Sequence, residues 1–143
     1  MALAIDIINE PFVAEQAAVT DTLHDIMDAV RSKDFERLAA HHLHSPKFTK
    51  FDDFDPLERQ DADTAQRSEE DGLGGVDNFR YQMDDLKVDV FGLVAIATFV
   101  FDYGFDVEGE SMDLRARTTM VFVNDGGAWK IAHEHLSPFK SNP

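Results

Sequence analysis

The sequence predicts an α+β fold in which three N-terminal helices pack on one side of a mostly antiparallel sheet. Three observations carry this. Apolar residues Val19, Leu23, Ile26, Met27 and Val30 recur at intervals of three and four, the spacing of one helix face. From Lys87 onward the pattern changes to β-rich segments, "KVDVF", "LVAIATFVFDYGFDV", "MDLRARTTMVFV" and "AWKIAHEHL", divided by Gly92, "EGES" and "NDGG". Helices come first and a meander follows, without the strand–helix alternation of a parallel sheet. No internal repeat interrupts this order.

The first helix is expected over residues 12–31, directly after Pro11, which suits the first turn of a helix. A short second helix is expected over 34–42, with Phe35 and Leu38 facing inward, and Pro46 prevents its continuation. "KFTKFDDF" reads as a short strand. Residues 52–71 hold nine acidic and two basic residues, so this run reads as a loop or exposed face, with a solvated helical turn near "DTAQRSEED" stopping at Gly72. Beyond Gly74 and Gly75, the spacing of Val76, Phe79, Met83 and Leu86 predicts the third amphipathic helix.

Size and composition bound the function. With 143 residues and twelve phenylalanines, residues 1–143 are expected to form one domain with a sizeable core. A formal charge of −15 disfavours a grip on nucleic-acid phosphates or anionic lipid. The absence of cysteine excludes disulfides and thiolate zinc sites. The opening "MALAIDIINEPF" lacks a basic leader region, and the longest apolar run, "FGLVAIATFVF", is shorter than the roughly 18 residues that suggest a spanning helix. The expectation is a cytoplasmic protein with no membrane and no nucleic-acid partner.

The candidate chemistry lies in the strands. Alternation puts Trp129, Ile131, His133 and His135 on one face of the last strand and Lys130, Ala132, Glu134 and Leu136 on the other. A four-residue loop over 124–127 sets Arg117 opposite Glu134 and Thr119 opposite Ala132. A three-residue loop with a bulge would instead set Arg117 against His135. In the first register Glu134 is an acid–base candidate and Arg117 a partner for an anionic or carbonyl oxygen, or the two form an ordinary cross-strand ion pair. Asp53, among Phe48, Phe51 and Phe54, is the second acid–base candidate, since aromatic surroundings raise a carboxyl pKa, unless it is a solvated turn residue. Tyr81, Thr119, Trp129, His133 and His135 complete the candidate ligand contacts. His133 and His135 lack a third ligand at metal spacing, and the group "HHLH" at a helix end has dipole and solvent as its explanation, so neither metal nor cofactor is expected.

The C-terminal "DGGAWKIAHEHLS", with the order of elements before it, resembles the nuclear transport factor 2-like superfamily, which includes ketosteroid isomerases, SnoaL-like polyketide cyclases and the association domain of calmodulin-dependent kinases. The resemblance spans nearly the whole chain. Its sharpest part is Asp125, Gly126, Trp129 and Ile131 followed by His133, His135 and Ser137. It implies a cystatin-like conical sheet wrapped around a long helix, a pocket at the open end, and homodimerisation through the sheet. It also favours the first register, because the association domain's pocket arginines correspond to Thr119 and Leu136. The isomerase tyrosine and aspartates have no matching positions, so that activity is not carried over. The expected function is binding of a small apolar or carbonyl-bearing organic molecule, with cofactor-free isomerisation, cyclisation or dehydration by proton transfer as the affordable chemistry. The alternative is a non-catalytic ligand-binding or dimerisation module.

Overall fold

The computed structural model describes residues 4–139. The chain runs α1 (Val13–Ser32), α2 (Phe35–Ala40), β1 (Thr49–Phe51), α3 (Ala62–Gly74), β2 (Asp77–Phe91), β3 (Val94–Val107), β4 (Glu110–Asp125) and β5 (Ala128–Pro138). The strands form one sheet in the order β1-β5-β4-β3-β2, antiparallel except where β1 runs parallel to β5. Among the described residues, no helix is long and apolar enough to cross a membrane.

The long helix packs on the inner face of the sheet as its apolar spacing requires: Val19, Leu23, Ile26 and Met27 are buried in one core with Ala95, Ala97, Phe99, Phe101, Met120, Phe122 and Ile131. Asp34 caps α2 by accepting from the backbone of Arg37 at 3.1 Å, and Asp61 caps α3 by accepting from Thr64 at 2.8 Å.

Three expectations need correction. First, the third helix is α3, in the acidic run, while Phe79, Met83 and Leu86 lie on β2 and Val76 just before it. The inward residues Phe79, Tyr81, Met83, Leu86 and Val88 alternate as a strand should, but the register against β3 shifts between Asp84 and Lys87, with Asp85 at φ 53°. That bulge turns one interval of two into three, so the row imitates helical spacing. The real α3 buries only Ala65, and its inner stripe gives no apolar period.

Second, the last hairpin turns in two residues, Gly126 and Gly127, both at positive φ as such a turn requires. Asp125 therefore pairs with Ala128. Third, β5 carries a bulge at Ala132: Phe122 pairs with Ile131 but Val121 with His133. The bulge changes the phase of the strand. Trp129 and Ile131 share the buried face with Glu134 and Leu136, and His133 and His135 turn away from it. Arg117 faces Ser137, not Glu134, so the expected Arg117–Glu134 pair does not form.

Candidate functional site

Between α1, α3 and the inner face of the sheet lies a cavity of about 360 Å³. Its apolar walls come from Ile26, Met27 and Val30 of α1 and from Phe101, Tyr103 and Phe105, alternate residues of β3. Phe101 and Tyr103 stack with ring centroids 4.6 Å apart. The polar wall comes from β1 and the loop after it, α3, and β5.

The polar wall is a buried ion cluster. Parallel pairing sets Lys50 of β1 beside Glu134 of β5, and α3 brings Glu69 in on the same inner stripe as Ala65 one turn earlier. The Lys50 ammonium lies 3.0 Å from Glu69, 3.3 Å from Asp52 and 3.9 Å from Glu134. Burial opposes its charge, but Glu134, Glu69 and Asp52 outweigh that and push its pKa up.

His42 occupies the other side. The segment around it adds to the edge of β5, with Leu43 donating to Ile131 and Ile131 to His41. His42 Nδ1 donates to the Leu38 carbonyl at 2.9 Å, which directs Nε2 at Glu69, 3.4 Å away, and Glu134, 3.8 Å away. A lone pair pointing at two carboxylates would be repelled, so Nε2 carries a proton. Burial lowers the His42 pKa, yet the two glutamates outweigh it and raise it from 6.5 to about 10. Glu69 moves the other way: burial raises it, but Lys50 and His42 hold it at about 2.

A pH consequence follows. Because the folded pKa of His42 lies above its unfolded value, its stabilising contribution is complete below pH 6.5 and is lost as pH rises through about 10. The unfolding temperature of wild type should fall across that window, and His42→Gln should flatten this limb. An unchanged slope would show that His42 is neutral in the fold.

Asp53 stands apart from the ion cluster. Tyr103 donates to its Oδ2 at 2.9 Å, while the buried Oδ1 has no partner. Among the described residues no lysine, arginine or histidine lies within ion-pair distance of it. Burial first, then the neighbouring Asp52 carboxyl, raise its pKa to about 6 against the lowering effect of Tyr103. A carboxyl with that pKa is ionised at neutral pH and basic enough to accept a proton.

His42, Glu69 and Glu134 could also hold a metal ion, since one ligand atom from each lies within 4.8 Å of the others. The Lys50 ammonium already supplies positive charge to the same carboxylates, and a metal would require His42 to give up its Nε2 proton.

The sequence-derived candidates do not gather in one place. Glu134 and Asp53 line the cavity. Arg117, Thr119 and His135 meet on the outer face of the sheet, in a groove of about 410 Å³ with Asp85, Thr98 and Ser137. His133 bonds to Thr49 at 2.8 Å, Trp129 is buried in the core, and Tyr81 bonds to His24 at 2.9 Å. Sequence reasoning did not assign roles to Lys50, Glu69 and His42. The "HHLH" group is not one solvated set, because His42 is buried while His41 pairs with Asp25.

Residues 19–141 match the family described as SnoaL-like domains. Among solved structures, the chain is similar to a candidate dehydratase of the nuclear transport factor 2-like family from Streptomyces avermitilis, at 18% identity, covering 90% of this chain and 99% of that one with a TM-score of 0.81. It is similar to a nuclear transport factor 2-like protein of unknown function from Pseudomonas putida, at 23% identity, 93% of both chains and 0.77. The CaMKII hub homology domain of Chlamydomonas reinhardtii matches at 17% identity, over 88% of this chain and 98% of that one, with 0.72. No curated protein matches. At these identities the solved structures establish the fold alone.

Proposed function

The chain belongs to the SnoaL-like domain family, and we propose that its cavity binds a small organic molecule and moves a proton next to a carbonyl, as in isomerisation, cyclisation or dehydration. The observation that carries this reading is Asp53: a carboxyl on an aromatic wall, with one oxygen fixed by Tyr103 and the other unpartnered. In this scheme Asp53 takes the proton. Lys50 and His42, buried in the polar wall, offset most of the charge of Asp52, Glu69 and Glu134, which limits the repulsion that this wall exerts on negative charge developing on a nearby oxygen. The chemistry needs no cofactor.

The reaction can be tested without knowing the natural substrate. A ketone such as 2-tetralone exchanges its α-protons slowly in D2O, and the protein is expected to accelerate this exchange, as followed by NMR. No rate above buffer for 2-tetralone and a panel of steroid and polyketide ketones would leave only a binding module.

Self-association is a separate part of the proposal. The outer face of the sheet carries Ile96, Val100, Val121 and Val123 beside Thr98 and Thr119, a surface that a second copy would cover. The similarity to a hub domain supports this reading. Light scattering should report a particle of about 32 kDa, twice the 16.1 kDa chain; a 16 kDa particle at micromolar concentration would end the idea.

A further inference from the structure

The charges of the cavity restrict what can enter it, and this inference rests on reading the cavity as a small-molecule site. Five carboxyl groups line it, from Asp52, Asp53, Asp55, Glu69 and Glu134, against one lysine and one histidine, and no arginine is among the lining residues. Both cations are already committed. Lys50 sits within ion-pair distance of three carboxylates. The buried Nε2 of His42 has no hydrogen-bond partner, yet it points at Glu69 and Glu134. What remains uncommitted is negative: Oδ1 of Asp53, and Asp55 at the exposed rim. The other walls are aromatic, from Phe54, Phe79, Phe101, Tyr103 and Phe105, and ring faces attract cations and repel anions.

We propose that the cavity takes an uncharged or cationic ring compound, with a hydroxyl, carbonyl or amine at its polar end, and rejects acids of the same shape. An anion entering would lose its hydration and find no free cation in exchange. This discrimination is local. The field of the whole protein, with its charge of −15, is screened beyond about 8 Å at physiological ionic strength, whereas charges inside a cavity are screened much less.

Three probes of one shape separate the possibilities: 2-naphthylmethylamine, 2-naphthylmethanol and 2-naphthoate, titrated calorimetrically at pH 7.5 in 0.15 M and 0.5 M sodium chloride. The naphthoate should bind at least ten-fold more weakly than the alcohol at both salt concentrations, and the amine at least as tightly as the alcohol. Asp53→Asn, checked for an unchanged unfolding temperature, should narrow the gap between naphthoate and alcohol several-fold. The inference is overturned if the naphthoate equals the alcohol, if the gap vanishes at high salt, or if Asp53→Asn leaves it unchanged. Should none of the three probes bind, the small-molecule reading itself fails, and that result is distinct from binding without charge preference.

Discussion

Replacing Lys50 with methionine is expected to destabilise the protein by about 3–5 kcal/mol, the usual cost of removing one partner from a buried ion pair. Methionine fills much the same volume, so the loss is electrostatic. Asp52, Glu69 and Glu134 would be left facing one another with only His42 for compensation. For a chain of this length that corresponds to a fall in unfolding temperature of roughly 10 °C or more. The pH dependence should also change sign. In wild type the folded pKa of Glu69 is depressed to about 2, so its contribution is present above the unfolded value of 4.5 and lost as pH falls through 2. Without the lysine, crowding raises the folded carboxyl pKa values above the unfolded ones, and Lys50→Met should gain stability as pH falls from 7 toward 5. A loss below about 1 kcal/mol with the wild-type pH profile would mean that Lys50 is solvated.

Asp53→Asn is expected to lower the rate of α-proton exchange by about 10²–10⁴, the usual range for removing a positioned base. The fold should survive, because asparagine has the shape of aspartate and its amide oxygen can still accept from Tyr103. Its unfolding temperature at pH 7 should match or exceed that of wild type, since burial disfavours the Asp53 charge that the substitution removes. The wild-type rate should rise as pH increases through about 6, where Asp53 ionises. Tyr103→Phe removes the hydrogen bond that lowers this pKa, so the inflection should move above 6 while exchange persists. A merely structural tyrosine would leave the inflection in place. Equal rates for wild type and Asp53→Asn would remove Asp53 from the reaction.

How far the sequence reveals this arrangement depends on how the apolar residues are spaced. The helix α1 was legible because large apolar side chains mark its inner face, and β3 to β5 because turn residues separate long apolar runs. The bulges at Asp85 and Ala132 were not legible. Each inserts one residue into a strand, which changes neither composition nor turn chemistry but reverses the face of everything beyond it. For Glu134 the effect is direct. Strict alternation separated it from Trp129 and Ile131, whereas the bulge places all three on the inner face. His133 and His135, the flanking members of the His-Glu-His sequence, face outward. Glu69 was hidden for a different reason. Within an acidic run it looks solvated, and only the tertiary placement of α3 against β1 and β5 supplies Lys50 and His42 as its partners. Asp53 was singled out from its aromatic neighbours in sequence, though the ring stacked nearest to its own partner Tyr103, that of Phe101, comes from β3.

Ligand is expected to enter the inner cavity and not the outer groove. A crystal structure of the protein soaked with 2-naphthylmethanol tests it most directly. Ring density is expected between Met27 and Val30 of α1 and Phe101 and Tyr103 of β3, with the hydroxyl within hydrogen-bond distance of Asp53. Density resting against Arg117, Thr119 and His135 on the outer face, with the inner cavity empty, would contradict it.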